Sequence, residues 1–351
     1  MKPWMALALG WLMANQVSAE SPHLTWRSLA PLPDAEGLAG MFAGVIGDRL
    51  VVAGGANFPD RRPWAGGTKH WDDRVWMLDE PGAAWREIGR LPEPRAYGVT
   101  ASVPGGMICI GGGNATAHTR DCLLLEHEAG RLKVRPLAPL PKPCSFTSGA
   151  AAGNTFYLAG GLERPTADRC LRSFWSLDLD RPSDGWRELP PCPGSERMLA
   201  VSGSANEAFY LFSGVKLKPG AEGLPEREYL RDAWRYRPAD GWQRLPDLPR
   251  SANAAPSPAY TFADGRLFVA SGDDGLNVNF RPQDAHPGFP REALVLDPAD
   301  RTWTSGGDVP FSLATAPTCL WRGQWVVVSG EARPGIRSPT VWMAEEARTE
   351  H

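Results

Sequence analysis

Arg49-Leu50-Val51-Val52-Ala53-Gly54-Gly55 is a short apolar run that ends on two glycines. Such a run reads as a buried strand, and the glycines allow a sharp turn at its end. The pattern returns along the chain. Met107-Ile108-Cys109-Ile110 leads to Gly111-Gly112, and Phe156-Tyr157-Leu158-Ala159 leads to Gly160-Gly161. Phe209-Tyr210-Leu211-Phe212 runs into Ser213-Gly214, Leu267-Phe268-Val269-Ala270 into Ser271-Gly272, and Trp325-Val326-Val327-Val328 into Ser329-Gly330. The closing glycines stand 57, 49, 53, 58 and 58 residues apart. A fixed period of this size marks a repeat architecture.

A second marker keeps the same beat: a Trp followed by a Pro-containing turn. Trp26 precedes Leu32-Pro33, Trp85 Leu91-Pro92, Trp186 Pro190-Pro191, Trp242 Leu248-Pro249 and Trp303 Val309-Pro310. Between the markers lies a further strand, as in Val75-Trp76-Met77-Leu78-Asp79 and Leu294-Val295-Leu296-Asp297. Each unit thus holds four short strands in roughly 50 to 60 residues. One such sheet cannot bury both faces alone. Six packed around an axis can, and closing the ring leaves no sheet uncovered. The fold expected is all-β, a six-bladed β-propeller of the kelch type. The chain opens on a fourth-strand marker, Trp26-Arg27-Ser28-Leu29, and closes on a third strand, Val341-Trp342-Met343. The N-terminal strand should therefore complete the last blade and latch the ring.

The bulk composition narrows the partners. Among 351 residues, 37 basic and 40 acidic side chains give a net charge of -3, with no basic run of the kind nucleic acid requires. The six histidines are scattered and no CxxC pair exists, so neither a metal nor another cofactor is expected. No G-x-S-x-G elbow or Walker-type phosphate loop appears. Lys2, the apolar run Trp4 to Met13, and Val17-Ser18-Ala19 read as a cleavable export signal over residues 1–19. A single propeller domain over 20–351 is expected to follow, exported to the periplasm and free of the membrane after cleavage. The six cysteines permit disulfides in that compartment but indicate no pairing.

Polar residues collect in the loops that follow the glycine markers, which should all open on one face of the ring. The axial mouth of a propeller is concave, and convergent polar groups there form a default site. The densest loop is Ser329-Gly330-Glu331-Ala332-Arg333-Pro334-Gly335-Ile336-Arg337. Arg95 and Arg197 follow the turns into the innermost strands of two blades, where they could instead satisfy local carbonyls.

Three segments carry a resemblance to a known family. They are Glu36 to Gly44 continuing into Ala53-Gly54-Gly55-Ala56-Asn57-Phe58, then Arg95-Ala96-Tyr97-Gly98-Val99 with Ile110-Gly111-Gly112, and finally Ser329 to Arg337. The chain resembles the bacterial sialic-acid mutarotases (N-acetylneuraminate epimerases), which are exported kelch-type propellers. The order of the segments is that of a cyclically permuted branch, and a closed ring tolerates moving its ends to another blade. The resemblance implies that Glu331 is the general acid/base assisting opening and reclosing of the sugar ring. It implies that Arg337 binds the carboxylate of an acidic sugar, with Arg95, Arg197 and Asn57 as further substrate-binding candidates. Arg333 would be supporting structure. The rival readings are an exported kelch propeller that binds an acidic sugar or protein without catalysis, a sialidase, and a copper radical oxidase. A sialidase would carry Ser-x-Asp-x-Gly-x-Thr-Trp boxes, and Ser183-Asp184-Gly185-Trp186 lacks that spacing. The oxidase would need paired Tyr and His ligands, which the scattered histidines do not offer.

Overall fold

The computed structural model describes residues 23–220 and 223–347; the expected export signal lies outside them. Six four-stranded antiparallel sheets stand around one axis. Blade one comprises Phe42–Ile46, Arg49–Asn57, His70–Leu78 and Arg86–Arg90. Blades two to five begin at Val99, Ser148, Val201 and Tyr260 and repeat the order inner to outer. Blade six comprises Thr318–Trp321, Gln324–Val328 and Val341–Glu346, and its fourth strand is Leu24–Ser28 from the other end of the chain. Leu24 pairs with Glu346 and Ser28 with Trp342, so the expected latch is present.

The core lies between blades, as the repeat logic requires. A buried apolar cluster sits at each of the six blade junctions. The junction of blades six and one packs Leu50, Val52, Trp321, Val326 and Met343 and closes the ring. The fourth-strand tryptophans also reach across junctions. Trp85 Nε1 donates to Ala30 O at 2.8 Å, Trp242 Nε1 to Pro190 O at 3.0 Å and Trp303 Nε1 to Pro246 O at 2.9 Å.

Backbone hydrogen bonds close a second, inner ring. Gly40, Tyr97, Phe146, Leu199, Ala254 and Thr315 occupy the same place in successive blades, and all have φ between 52° and 66°. Each N–H donates to the carbonyl of the preceding member at 2.6–2.9 Å, and Gly40 N donates to Thr315 O, completing the circle. The left-handed conformation costs a non-glycine residue about 1–2 kcal/mol. The closed circle of bonds satisfies backbone groups that would otherwise be buried unpaired.

The marker chemistry follows from the same junctions. In blade one a Cβ at Gly54 would lie 2.3 Å from Arg95 O, and in blade three one at Gly160 would lie 2.2 Å from Arg197 O. In blades four to six the position is Ser, and its hydroxyl accepts a backbone N–H from the next blade. Ala252 N bonds Ser213 Oγ, Leu313 N bonds Ser271 Oγ and Leu38 N bonds Ser329 Oγ, each at 2.9 Å. All six cysteines are free. Burial pushes the Cys109 and Cys144 thiols up to about 12, so they serve as small core side chains.

Candidate functional site

The loop after the sixth marker is a two-stranded hairpin, Glu331–Arg333 paired with Ile336–Arg337. Pro334-Gly335 supplies its turn, with Gly335 at φ 81°, the conformation that follows proline in a type II turn. A Cβ on Gly335 would also lie 2.8 Å from the Trp64 ring of the first loop. The register sets Glu331 directly opposite Arg337. Glu331 Oε1 accepts from Arg337 Nη1 at 2.7 Å and from Gly335 N at 2.7 Å. Among the described residues its Oε2 takes no hydrogen bond. The Glu331 side chain is 21% exposed while that of Arg337 is 3% exposed. The hairpin thus pins one carboxylate oxygen and presents the other.

Arg337 is committed on several sides. Its Nε donates to Ala56 O at 3.3 Å, and its guanidinium carbon lies 5.1 Å from the Phe58 ring centre. Burial alone would lower its pKa, but the charge of Glu331 and the Tyr97 hydroxyl more than reverse that, and the cation is stabilised. Phe58 shares its ring with a second cation. Lys69 Nζ lies 5.7 Å from Phe58, 5.4 Å from Trp71 and 5.2 Å from Tyr97, and 3.5 Å from the Tyr97 hydroxyl. Among the described residues no carboxylate comes within ion-pair distance of it. Tyr97 stacks on Phe146 at 4.5 Å and meets Trp71 edge-on at 5.7 Å. Gly40 leaves room for that ring, since a Cβ there would fall 2.4 Å from it.

A neighbouring loop braces the hairpin. From the fifth blade, loop residues Asp284 and His286 offer their carbonyls to Arg333 Nη1 at 2.9 and 3.5 Å. Arg333 is thus a fastener, as expected. Behind the inner ring, the axial cavity measures about 80 Å³ and is lined by Tyr97, Phe146, Thr147, Leu199, Ser257 and Thr315 among others. The Tyr97 and Phe146 rings line this cavity and also belong to the aromatic cluster beside Lys69.

The structure separates the remaining candidates. Arg197 is buried in a fork on Asp232, at 2.8 and 2.6 Å, and also donates to Ser195 O and Ser213 O. Arg95 is 3% exposed and reaches only Asp121, at 3.5 Å. The donors of Arg197 are thus spent within blade four, whereas Arg95 keeps its Nε and Nη1 buried and unpaired. The physical reason lies in their place in the repeat. The six equivalent positions are Leu38, Arg95, Cys144, Arg197, Ala252 and Leu313, and all are buried. Aligning that column in the sequence would have revealed an inward-pointing position. The informative residue of the second segment is Tyr97, two positions on. Asn57 is 1% exposed and donates to Asp34 Oδ1 and Gly37 O, both at 3.0 Å. It braces the segment that abuts Ser338, beside Arg337, and so supports the site from below. Nothing local distinguishes Lys69 and Trp71 from ordinary loop residues, and Phe58 shows in the sequence only as the end of the first resembling segment.

Blade five offers one more acid. The residues at the Glu331 position in successive blades are Ala56, Gly113, Leu162, Val215, Asp273 and Glu331, each bridged to the inner ring's preceding residue. Asp273 is the single other carboxylate in that column. Burial pushes it above the usual carboxylate range, although the Gly275 N–H bonds it.

Comparison with known proteins places this geometry in context. Residues 12–134 match the family model described as N-acetylneuraminate epimerase. The N-acetylneuraminate epimerase of Yersinia enterocolitica serotype O:8 / biotype 1B is 29% identical over 238 residues, covering 60% of this chain and 58% of the relative. That of Haemophilus influenzae (strain PittEE) is 30% identical over 224 residues, covering 57% and 56%. That of Pasteurella multocida (strain Pm70) is 30% identical over 229 residues, with the same coverage, 57% and 56%. The chain therefore spans little more than half the length of the curated relatives it matches. The solved structure of YjhT superposes with a TM-score of 0.66 at 12% identity, over 91% of this chain and 99% of that one, and shares the propeller fold.

Proposed function

From the resemblance to the N-acetylneuraminate epimerases, we propose that this protein accelerates exchange between the α and β anomers of N-acetylneuraminate. It is an isomerase in this view, acting as an exported kelch-type propeller whose leader, residues 1–19, is removed and whose single domain works in the periplasm. The observation that carries the proposal is the Glu331–Arg337 hairpin, with one carboxylate oxygen pinned and the other unoccupied at the mouth of the ring. Sequence alignment over part of each chain, beside structural overlap over nearly all of it, is what a cyclic permutation of the ring would produce.

The chemistry needs one well-placed carboxylate. Opening the ring removes a proton from the anomeric hydroxyl and delivers one to the ring oxygen as the carbon–oxygen bond breaks. Reclosure on either face of the resulting ketone reverses both transfers, so no net proton is consumed. Glu331 takes the hydroxyl proton on Oε2 and returns it at the ring oxygen. Arg337 and Gly335 N–H hold Oε1, orient the carboxylate and restrain its rotation. General acid–base assistance of this kind supplies about 10²–10⁴-fold. A single anomer released freshly into buffer and followed by NMR tests the assignment. Relaxation should be faster with protein than without; an unchanged rate would reject it.

A further inference from the structure

The substrate proposed above carries its carboxylate on the anomeric carbon itself, so the cation that binds it must lie beside the acid/base. Arg337 was the expected partner, yet its side chain is 3% exposed and two of its three nitrogens, Nη1 and Nε, already hold Glu331 and Ala56 O. Lys69 is next to it and uncommitted. The two cations share the Phe58 ring, Arg337 at 5.1 Å and Lys69 at 5.7 Å from its centre. Glu331 neutralises one of them. Among the described residues Lys69 is left without an ion-pair partner.

We infer that Lys69, held against Phe58, Trp71 and Tyr97, is the residue that selects an acidic sugar by binding its carboxylate. Tyr97 assists, because its hydroxyl lies 3.5 Å from Nζ and faces Arg337 as well. Three aromatic rings around Nζ remove competing water and hold a flexible side chain in one place. An anion arriving there gains a charge-assisted hydrogen bond in a partly desolvated setting. Arg337 is then a positioning residue for Glu331, and Lys69 sets specificity. This inference rests on the anomer-exchange assignment for its substrate but can be tested apart from it.

The test compares N-acetylneuraminate with its methyl ester, measuring binding by calorimetry and anomer exchange by NMR. Lys69→Met should weaken binding of the acid about 10- to 100-fold, the range of a charge-assisted hydrogen bond, and leave the ester's affinity unchanged. At subsaturating substrate, exchange of the acid should fall by the same factor as its affinity. Lys69→Arg should restore most of the affinity for the acid, which excludes a folding defect. Equal affinity of wild type and Lys69→Met for the acid, or equal losses for acid and ester, overturns the inference. Lys69-dependent binding of the acid without any rate acceleration would uphold Lys69 and reject the catalytic assignment. Absence of binding by the wild type would reject both.

Discussion

Two arginine–carboxylate pairs sit on the same face of the ring, and they do opposite things. Arg197 and Asp232 form a fork whose remaining donors go to backbone carbonyls, while Trp234 Nε1 donates at 2.5 Å to the same Asp232 Oδ2 that takes Arg197 Nη2. Every guanidinium nitrogen of Arg197 and both oxygens of Asp232 are hydrogen-bonded, and the pair fastens blade four. Arg337 and Glu331 share a single bond at 2.7 Å, and the carboxylate keeps a free oxygen beside an aromatic-lined cation. Charge and residue type are alike in both. Their difference is where the backbone aims them: Arg197 lies in the inward column before the inner ring, whereas Glu331 and Arg337 leave the blade on a hairpin. An ion pair marks a site only when part of its valence is unspent.

Substitutions should separate the two pairs. The largest effect expected is on rate: Glu331→Gln should slow anomer exchange by about 10²–10⁴-fold, with the fold retained because the amide oxygen still accepts from Arg337 Nη1. Loss of fold in that variant would make the two pairs alike and break the comparison. Next comes Arg197→Met, which leaves Asp232 buried without its partner. A destabilisation of about 3–5 kcal/mol should appear in urea unfolding, with exchange per folded molecule unchanged.

Acid should sharpen the contrast. Burial by itself would push Asp232 up, but Arg197 and the Trp234 N–H hold its carboxyl below the ordinary range. A carboxyl depressed in the folded state contributes stability above its unfolded pKa, and this is lost as pH falls through the lower folded value. Wild type should therefore lose stability on acidification below the ordinary aspartate range, and Asp232→Asn should flatten that limb of the stability–pH curve.

The smallest effect expected has the opposite sign. Asp273 is raised by burial, so its ionisation costs stability above the unfolded pKa and costs nothing below it. Asp273→Asn should raise the melting temperature at neutral pH by a few degrees, roughly the shift that accompanies about 1 kcal/mol in a domain of this size. The gain should vanish at a pH below the ordinary aspartate range. A gain that persists there would mean that Asp273 is held by its neighbours rather than strained by burial.

Much of the fold was legible because its signals are local and repeated. The strand-to-glycine marker recurs since each blade must pass the same neighbour's carbonyl at Gly54, Gly111 and Gly160. The tryptophans recur since each indole bridges one junction. The latch was readable from strand order alone, and Leu24–Ser28 does complete blade six. The site was legible in part. The loop of Glu331, Arg333 and Arg337 stood out by density, and the separate roles of its residues came only from the family resemblance. Lys69 and Tyr97 did not stand out, because one lies at the end of a loop of unremarkable composition and the other two residues past a more conspicuous arginine.

The chain order by itself therefore determined six blades, their closure by the N-terminal strand and the loop in which Glu331 and Arg337 are paired. Periodicity and strand patterning act over a few residues, and a repeat multiplies them. Only the tertiary structure decided which polar groups are free. Whether a guanidinium faces a ligand or a carbonyl depends on the left-handed inner ring that turns Arg95 and Arg197 inward and lifts Tyr97 to the mouth. It also depends on loops one and six meeting across the ring's closure, which sets Lys69 and Arg337 against the same Phe58. Those residues lie more than 250 positions apart in the chain, as with Arg337 and Ala56 at a separation of 281, and no local pattern encodes their meeting.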